Sequence, residues 1–499
     1  MLPTSSHPHD KKAGLAYWAQ RVLEECHKAS HDFAPDPVHD LRVAIRRCRS
    51  MADGFLSVDP DPEWRQMKGL AKPLFSSLGE LRDTQVMVEW VTRFSEEGDP
   101  VRQVIMQTLS EKESAQKTAA QHALHNFDRH QWSALNARLA KRTGRVPTEG
   151  LVFQELALER WMEAYALHHQ ALRNRSPFAY HQLRIGIKRF RYTVENFLPQ
   201  RHEKWAKDLR DLQDALGEVH DFDVLRAMIN AHLEISVDDR ARWQKRIADE
   251  RQKRLQLYRA KMLGKNSLWQ VWRAELPSGV SLEKAALEKL RKWASFLDPD
   301  ISHSALVTRI ALQLYDALSR EGLLPGGREY RRILQAAAML HNVGHHKGHE
   351  GHRKRVYRLI LKLHPPAGWS EEELHCVAIV ARYHQGALPT TGDSHFVGLS
   401  AKRRSELLPL IGILRLAHAF ALEGERNVTQ LSVERCDGLL TISGRGLAAI
   451  SPTADRLARA RYLLEATCKL PIMIRPLPVK SPVASHRATR ARPLATVLR

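Results

Sequence analysis

The chain has 499 residues, of which 77 are Lys or Arg and 56 are Asp or Glu, so its formal net charge at pH 7 is +21. This length predicts more than one domain, and the hydrophobic content of 43% is too high for a disordered chain. The excess of cations predicts a polyanionic partner such as nucleic acid, an anionic membrane or polyphosphate. An aromatic content of only 7% argues against recognition of single strands by base stacking.

The cysteines and the apolar runs give an expectation for the cellular compartment of the protein. The five cysteines are scattered, odd in number and without CxxC spacing, which predicts free thiols in a reducing compartment. The N-terminal segment has no apolar core of a signal peptide, and no apolar run approaches the roughly 18 residues of a membrane span. We therefore expect a cytoplasmic protein with no membrane partner.

After a first helical segment at residues 11–30, the chain carries a stretch that occurs twice. HDLRVAIRRCRSMADGF, at His39–Phe55, returns as HQLRIGIKRFRYTVENF at His181–Phe197, with a constant shift of 142 residues. Seven positions are identical, and the rest of the pattern is similar. An internal repeat of this kind indicates a duplicated structural unit.

Placed on a helix at about 100° per residue, each copy separates an apolar face from a cationic one. The two cationic faces carry His39, Arg42, Arg46 and Arg49 in the first copy, and His181, Arg184, Lys188 and Arg191 in the second. A solvated charged face is the alternative, but such faces usually mix signs because like charges four residues apart repel. A one-sign stripe repeated in the same register predicts an anionic partner, and arginine forks match phosphate oxygens.

A second element is also duplicated. LGELRDTQV at Leu78–Val86 corresponds to LGEVHDFDV at Leu216–Val224, and Lys72 corresponds to Arg210. The long charged segments between the motifs show a helical pattern, and no alternating strand pattern precedes about residue 425. Residues 1–262 are therefore predicted to form two related helical bundles of about four helices each.

These two doubled motifs resemble a CHAD domain, the conserved histidine α-helical domain, over roughly residues 8–262, with repeats at about 8–145 and 150–262. The resemblance implies a helical pseudo-repeat that binds inorganic polyphosphate in a basic groove between its halves. Carried over to this chain, the binding residues would be His39, Arg42, Arg46, Arg49, Lys72, His181, Arg184, Lys188, Arg191 and Arg210.

Asp83 and Asp221 occupy matching places in the second element and could be read as paired catalytic carboxylates. We prefer the interpretation that they orient arginines of the stripes. Gln85 stands where the second copy has Asp223, so the halves do not offer equivalent carboxylates for a symmetric metal site.

Residues 263–281 are predicted to be a linker, and residues 282–476 resemble the HD-type helical domain at the C-terminal end of exopolyphosphatase/guanosine pentaphosphate phosphohydrolase proteins. The segments LHNVG and ARYHQGALP carry this resemblance, and LSVERCDGLLTISG predicts a β-hairpin. An HD-type hydrolase binds a divalent metal through His, an adjacent His-Asp pair and a distal Asp. Here His303 and His341 are present, but Asn342 and His418 replace the two carboxylates.

These replacements predict that the second domain has no metal ligands of the HD type and no catalytic residues. Histidines 341, 345, 346, 349 and 352 could still bind zinc or nickel, although exposed loop histidines usually bind nothing. No Gly-rich phosphate loop and no triphosphate-tunnel motif occurs, and residues 477–499 form a basic tail expected to be disordered.

The sequence thus predicts a mainly α protein, with a duplicated N-terminal bundle and an HD-like C-terminal domain that includes a small β-hairpin. Its predicted function is non-catalytic binding of inorganic polyphosphate, free or in granules, without a cofactor. The first alternative is a metal-dependent phosphohydrolase using His303, His341 and His384 on polyphosphate or a nucleotide. The second alternative is non-specific nucleic-acid binding, but the sequence contains no helix-turn-helix, zinc-finger or RNP-type motif to support it.

Overall fold

A computed structural model of the chain describes residues 14–324, 327–345, 348, 350–390, 392–421, 431–444 and 453–476. The chain divides into two compact units, one of residues 1–297 with 365–369 and one of residues 298–364 with 370–499. The predicted fold class is confirmed, because the described residues are mainly helical with one small sheet near the C-terminus. The predicted disordered tail at 477–499 lies outside the described residues.

The first unit is helical. Its helices are α1 (Leu15–Ala29), α2 (Pro35–Leu56), α3 (Glu63–Leu70), α4 (Lys72–Phe94), α5 (Pro100–His125), α6 (Arg129–Thr143), α7 (Leu151–Asn174), α8 (Pro177–Phe197), α9 (Pro199–Ala231), α10 (Val237–Met262), α11 (Leu268–Ala274) and α12 (Gly279–Ser295). Proline stands in the first turn of both α2 and α8, where its missing N–H has no helical partner to lose. Each copy of the repeated stretch therefore forms most of one helix.

The two repeated helices pack against each other, and matching aromatic residues meet at their C-terminal ends. The ring centroids of Phe55 and Phe197, which correspond in the repeat, lie 5.4 Å apart in an edge-on arrangement. Phe153 stacks on Phe197 at 4.0 Å, so one aromatic cluster belongs to both halves. Gly54 permits this close packing, because a Cβ there would collide with the Phe197 ring. The apolar faces predicted from the helical wheel are buried here, which leaves the cationic faces outside the core.

The second unit contains the remaining helices and a three-stranded sheet. Its helices are α13 (Ile301–Arg320), α14 (Arg328–Leu340), α15 (His352–Ile360), α16 (Glu371–Arg382), α17 (Ala401–Ala421) and α18 (Thr453–Cys468), with a short 3-10 helix at Ser394–Phe396. The strands are β1 (Leu431–Cys436), β2 (Leu439–Gly444) and β3 (Ile472–Pro476). The first two strands pair antiparallel, with Leu431 opposite Gly444, as the predicted hairpin requires, and β3 is parallel to β2.

The segment predicted as a linker, 263–281, contains α11, and Trp269 and Trp272 on this helix are each 1% exposed within the core of the first unit. Helix α12 also belongs to the first unit. None of the helices in the described ranges combines the length and the apolar character that a membrane crossing requires.

Candidate functional site

Helices α2 and α8 line one cavity of about 500 Å³ in the first unit. Its charged and aromatic lining consists of Arg46, Arg49, Asp53, Lys68, Phe75, Arg160, Lys188, Arg189 and Tyr192. The Asp53 carboxylate pairs with Lys68, and its charge also acts on Arg49. The cavity is therefore strongly cationic and lined by residues of both repeats.

Phe75 holds two arginines of the first stripe in place. The guanidinium carbons of Arg42 and Arg49 lie 5.0 Å and 5.2 Å from its ring centroid. Arg42 Nη1 donates to the carbonyl oxygen of Phe75 at 3.2 Å, and Arg49 Nη1 donates to the carbonyl oxygen of Lys68 at 2.6 Å. Backbone carbonyls orient both guanidiniums without cancelling their charge, so further N–H groups remain for an anion.

The glycines of the second repeated element lie beside the first arginine of each stripe. A Cβ added to Gly79 would stand 2.6 Å from Arg42 Nη1, and a Cβ added to Gly217 would stand 3.9 Å from Arg184 Nε. The two duplicated motifs therefore meet in the same way in both halves, although more tightly in the first. This contact gives a physical reason for the Leu-Gly pair in each copy.

Lys188 lies at the centre of the cationic cluster. Burial, followed by the charges of Arg184, Arg46 and Arg42, lowers the pKa of its amino group to about 7. The guanidinium of Arg46 stacks over Tyr192 at 5.0 Å, and its buried Nε has no hydrogen-bond partner among the described residues. Within the described parts of the chain, no carboxylate oxygen lies within 4.0 Å of the charged atoms of Arg42, Arg46, Arg184 or Lys188. These four cations of the two stripes thus lie close together without a direct ion pair among the described residues.

The predicted histidines lie at the edges of the cluster. Burial, with the charges of Arg82 and Arg46, lowers the pKa of His39, and burial with Arg184 and Lys188 lowers that of His181. His181 Nδ1 lies 3.4 Å from Nδ1 of His220, whose pKa is lowered to about 4, chiefly by burial. The cationic field therefore favours neutral imidazoles that can donate one N–H each.

Asp83 and Asp221 both act electrostatically on the cluster, but among the described residues neither forms an ion pair within 4.0 Å. Burial raises the pKa of Asp221 to about 6, while Arg184 and a hydrogen bond from Trp90 oppose the shift. The charge of Asp83 acts on Arg42 and Lys188. Each aspartate thus lies near the first arginine of its own repeat, and an orienting role for them remains a prediction.

Of the ten predicted binding residues, Arg46, Arg49 and Lys188 line the cavity and the other seven do not. Arg191 Nε lies 3.9 Å from Glu195, whose other oxygen accepts from Arg47. Arg210 is exposed on α9, where its charge acts on Asp211 and Asp214. Lys72 is exposed as the first residue of α4. The structure therefore brings Arg42, Arg46, Arg49, Arg184 and Lys188 together more closely than the other predicted residues.

Several residues that line the cavity were not predicted from the sequence. Arg189 and Tyr192 lie within the second copy of the repeat, directly after Lys188 and Arg191, and Lys68 precedes the second element. Phe75 stands three residues before Leu78. An aromatic residue close to a cationic stripe is a usable signal for cation stacking. No comparable sequence pattern marked Arg160, which lies on α7.

The second unit contains a separate cluster of histidines. His303 on α13, His341 directly after α14, and His418 on α17 offer ring nitrogens that all lie within 4.8 Å of one another. The ring of His384, after α16, lies 5.0 Å from His341 and 4.9 Å from His418 between centroids. Burial lowers the pKa of His341 to about 4 and those of His384 and His418 well below the usual range. The resemblance to an HD-type site had placed His303 and His341 at ligand positions and His418 where the distal Asp would be, and the hydrolytic alternative had added His384.

Asn342, which stands in the place of the HD aspartate, hydrogen-bonds to a neighbouring carboxylate. Asn342 Nδ2 donates to Asp298 Oδ1 at 2.5 Å, and Ser304 Oγ donates to Asp298 Oδ2 at 2.6 Å. Asp298 is 8% exposed and also accepts from the backbone N–H of Asp300. Of the loop histidines considered in the sequence analysis, His346 and His349 lie outside the described residues.

Comparisons with known proteins agree with both resemblances. Residues 15–230 match the family model of the CHAD domain, and residues 287–439 match that of the Ppx/GppA phosphatase, domain III. The crystal structure of the CHAD domain from the plant Ricinus communis is similar at 19% sequence identity and a TM-score of 0.37, covering 52% of this chain and 91% of that chain. No curated protein matches the chain.

Proposed function

We propose that the protein binds inorganic polyphosphate, and that its CHAD domain does so without catalysis. The chain joins a CHAD domain to a Ppx/GppA domain III, as its motifs predicted. The binding surface is the cationic cluster of α2 and α8, centred on Arg46 and Lys188. Polyphosphate granules are a second form in which the same polymer would be bound. Both matched families point to polyphosphate-related chemistry.

The observation that carries the proposal is that Lys188 lies among three arginines and has no direct ion pair within the described residues. An amino group whose pKa falls to about 7 beside three arginines destabilises the protein unless an anion is present. Structural arginine clusters normally contain carboxylates, and the carboxylate lining this cavity is already paired with Lys68. A polymer with one negative charge per phosphate supplies the missing counter-charge.

The chemistry of the cluster fits phosphate chains better than nucleic acid. Its aromatic rings, Phe75 and Tyr192, are covered by guanidiniums and are not open to stacking by bases. Charge-assisted hydrogen bonds contribute about 1.5–3 kcal/mol each, so the affinity rises with the number of phosphates in contact and falls with salt.

Equilibrium binding of long-chain polyphosphate at fixed salt tests the proposal. In the site variant, Arg42, Arg46, Arg184 and Lys188 are changed to Glu. In the matched control, four exposed residues of the same unit that do not line the cavity, Arg65, Lys112, Arg173 and Lys245, are changed to Glu. Both variants change the net charge equally, so only the location differs.

We expect the site variant to lose at least about 100-fold in affinity and the control to lose much less. A control that loses as much as the site variant would contradict a localised site. Competition with duplex DNA at the same salt distinguishes the nucleic-acid alternative, and phosphate release over the same period distinguishes the hydrolytic one.

A further inference from the structure

We propose that His303, His341 and His418 bind one late first-row transition-metal ion, of which zinc is the test case, and that His384 supplies a fourth position. This site lies in the second unit and is independent of polyphosphate binding. The HD-type resemblance implies a metal held partly by carboxylates, and the residues of this chain do not fit such an ion. They form a nitrogen-only set instead.

Two buried imidazole nitrogens of the cluster lack hydrogen-bond partners among the described residues. Nδ1 of His341 donates to the carbonyl of Ala338, and Nδ1 of His384 donates to the carbonyl of Ala381, each at 2.7 Å. These bonds place the proton on Nδ1 and leave the lone pair on Nε2. Both Nε2 atoms are buried without a hydrogen-bond partner among the described residues. Leaving a buried acceptor unsatisfied costs about 1–3 kcal/mol, which a bound cation removes.

The hydrogen bonds of His341 and His384 to backbone carbonyls are the usual support of a metal-binding histidine. A ligating imidazole generally donates its other N–H to a carbonyl or carboxylate, which fixes the ring and raises its basicity. His341 and His384 show this arrangement before any ion is considered. A purely structural core histidine would instead pair both nitrogens.

The distances require only small movements. The ligand atoms of His303, His341 and His418 lie within 4.8 Å of one another, whereas nitrogens bound to a tetrahedral zinc ion are about 3.3 Å apart. A difference of about 1.5 Å is of the size that ring rotations and small side-chain shifts of His303 and His418 provide. The ring centroids of His303 lie 5.5 Å from His341 and 5.4 Å from His418, so no pair is out of reach.

The chemistry of the ligand atoms determines which metal ions fit the site. Neutral imidazoles suit zinc, copper, nickel and cobalt, whereas magnesium, calcium and manganese prefer oxygen. The nearby carboxylate of Asp298 already accepts hydrogen bonds from Asn342, Ser304 and the backbone of Asp300. It is therefore positioned to support the site electrostatically and is not available as a direct ligand.

The experiment uses the full-length protein, dialysed against a chelator and titrated with Zn²⁺ by calorimetry and with Co²⁺ by visible absorption. The site variant is His303→Ala, because His303 is only partly buried and its truncation leaves the core packed. His364→Ala, at an exposed position of the same unit, is the matched control. A double variant, His346→Ala with His349→Ala, tests the loop histidines.

We expect one ion per chain, a tetrahedral cobalt spectrum, and a higher thermal unfolding midpoint with Zn²⁺ in the wild type. His303→Ala should lower the zinc affinity by about 100-fold or more and abolish the shift of the midpoint, while the control and the loop variant retain both. Equal binding by His303→Ala and the wild type would overturn the proposal. Loss of binding in the loop variant alone would also overturn it.

Discussion

Arg42 and Gly79 are in such close contact that a Cβ on Gly79 would stand 2.6 Å from Arg42 Nη1. One residue belongs to the first repeated motif and the other to the second, so this contact explains why the two motifs occur together. The equivalent pair in the second half, Arg184 and Gly217, has a wider separation of 3.9 Å for the same hypothetical Cβ. The difference allows a matched test.

We predict that Gly79→Ala displaces the Arg42 guanidinium and lowers the polyphosphate affinity by about tenfold, a loss of roughly 1.4 kcal/mol. Gly217→Ala should leave the affinity within about twofold, because its Cβ meets only an ordinary contact. Both glycines lie within helices, so alanine increases helix propensity equally in the two variants. Titration of each variant with the same polyphosphate preparation measures the difference, and equal losses would contradict a specific role of Arg42.

Lys188 gives a prediction on stability in the absence of ligand. The pKa of this amino group is lowered from 10.5 to about 7 in the folded protein, so between those pH values the native state binds fewer protons than the unfolded state. The free energy of unfolding therefore gains a contribution from Lys188 as the pH rises through this window. Below pH 7 the buried charge destabilises the native state fully.

Lys188→Met removes this charge and keeps most of the side-chain volume. We expect its free energy of unfolding to exceed that of the wild type by about 1 kcal/mol at pH 6.5, a modest value because solvent screens the cluster, and by progressively less toward pH 10. Denaturant titrations at several pH values test this. A variant less stable than the wild type at pH 6.5 would show that Lys188 is not destabilised by its neighbours.

The same pKa predicts proton uptake on binding. A polyanion near Lys188 raises the pKa of its amino group, so at pH 8 the complex should take up protons and the affinity should fall as the pH rises above 7. Calorimetry in two buffers of different ionisation enthalpy measures the number of protons bound. Lys188→Met should abolish most of the uptake, and unchanged uptake in that variant would assign it to other groups.

Glu195 and Asp53 occupy matching positions in the repeat but should differ in their effect on stability. Glu195 pairs with Arg47, and their side chains are 10% and 17% exposed, whereas Asp53 pairs with Lys68 and is 52% exposed. We predict that Glu195→Gln lowers the free energy of unfolding by about 1.5–3 kcal/mol and that Asp53→Asn changes it by less than about 0.5 kcal/mol. Thermal or chemical unfolding of both variants provides the comparison, and equal effects would contradict the asymmetry.

The duplicated stretch was sufficient to predict the helices and the cationic stripes, because helical periodicity and a repeated register are local properties of the sequence. The ion-pair partners of individual arginines could not be predicted in this way. Arg47 and Arg189 are identical in the repeat, yet Arg47 pairs with Glu195 of the other half, while Arg189 is 56% exposed and pairs with Glu163 on α7. Which partner each arginine meets depends on how α2, α7 and α8 pack, and the sequence pattern does not contain this information.

The histidine cluster was predicted in part. His303, His341, His384 and His418 are spread over more than a hundred residues and lie on or next to four different helices. The HD-type resemblance pointed to His303, His341 and His418 and the hydrolytic alternative to His384, whereas the loop histidines were noted because they are close together in the chain. Tertiary packing instead brings together histidines that are distant in the chain.

The most direct test of the central claim is a crystal structure of the protein with a short polyphosphate bound. We predict phosphate density in the cavity between α2 and α8, with oxygens within about 3 Å of the Arg46 guanidinium and the Lys188 amino group. Polyphosphate bound elsewhere on the protein, with this cavity empty at saturating ligand, would contradict the account.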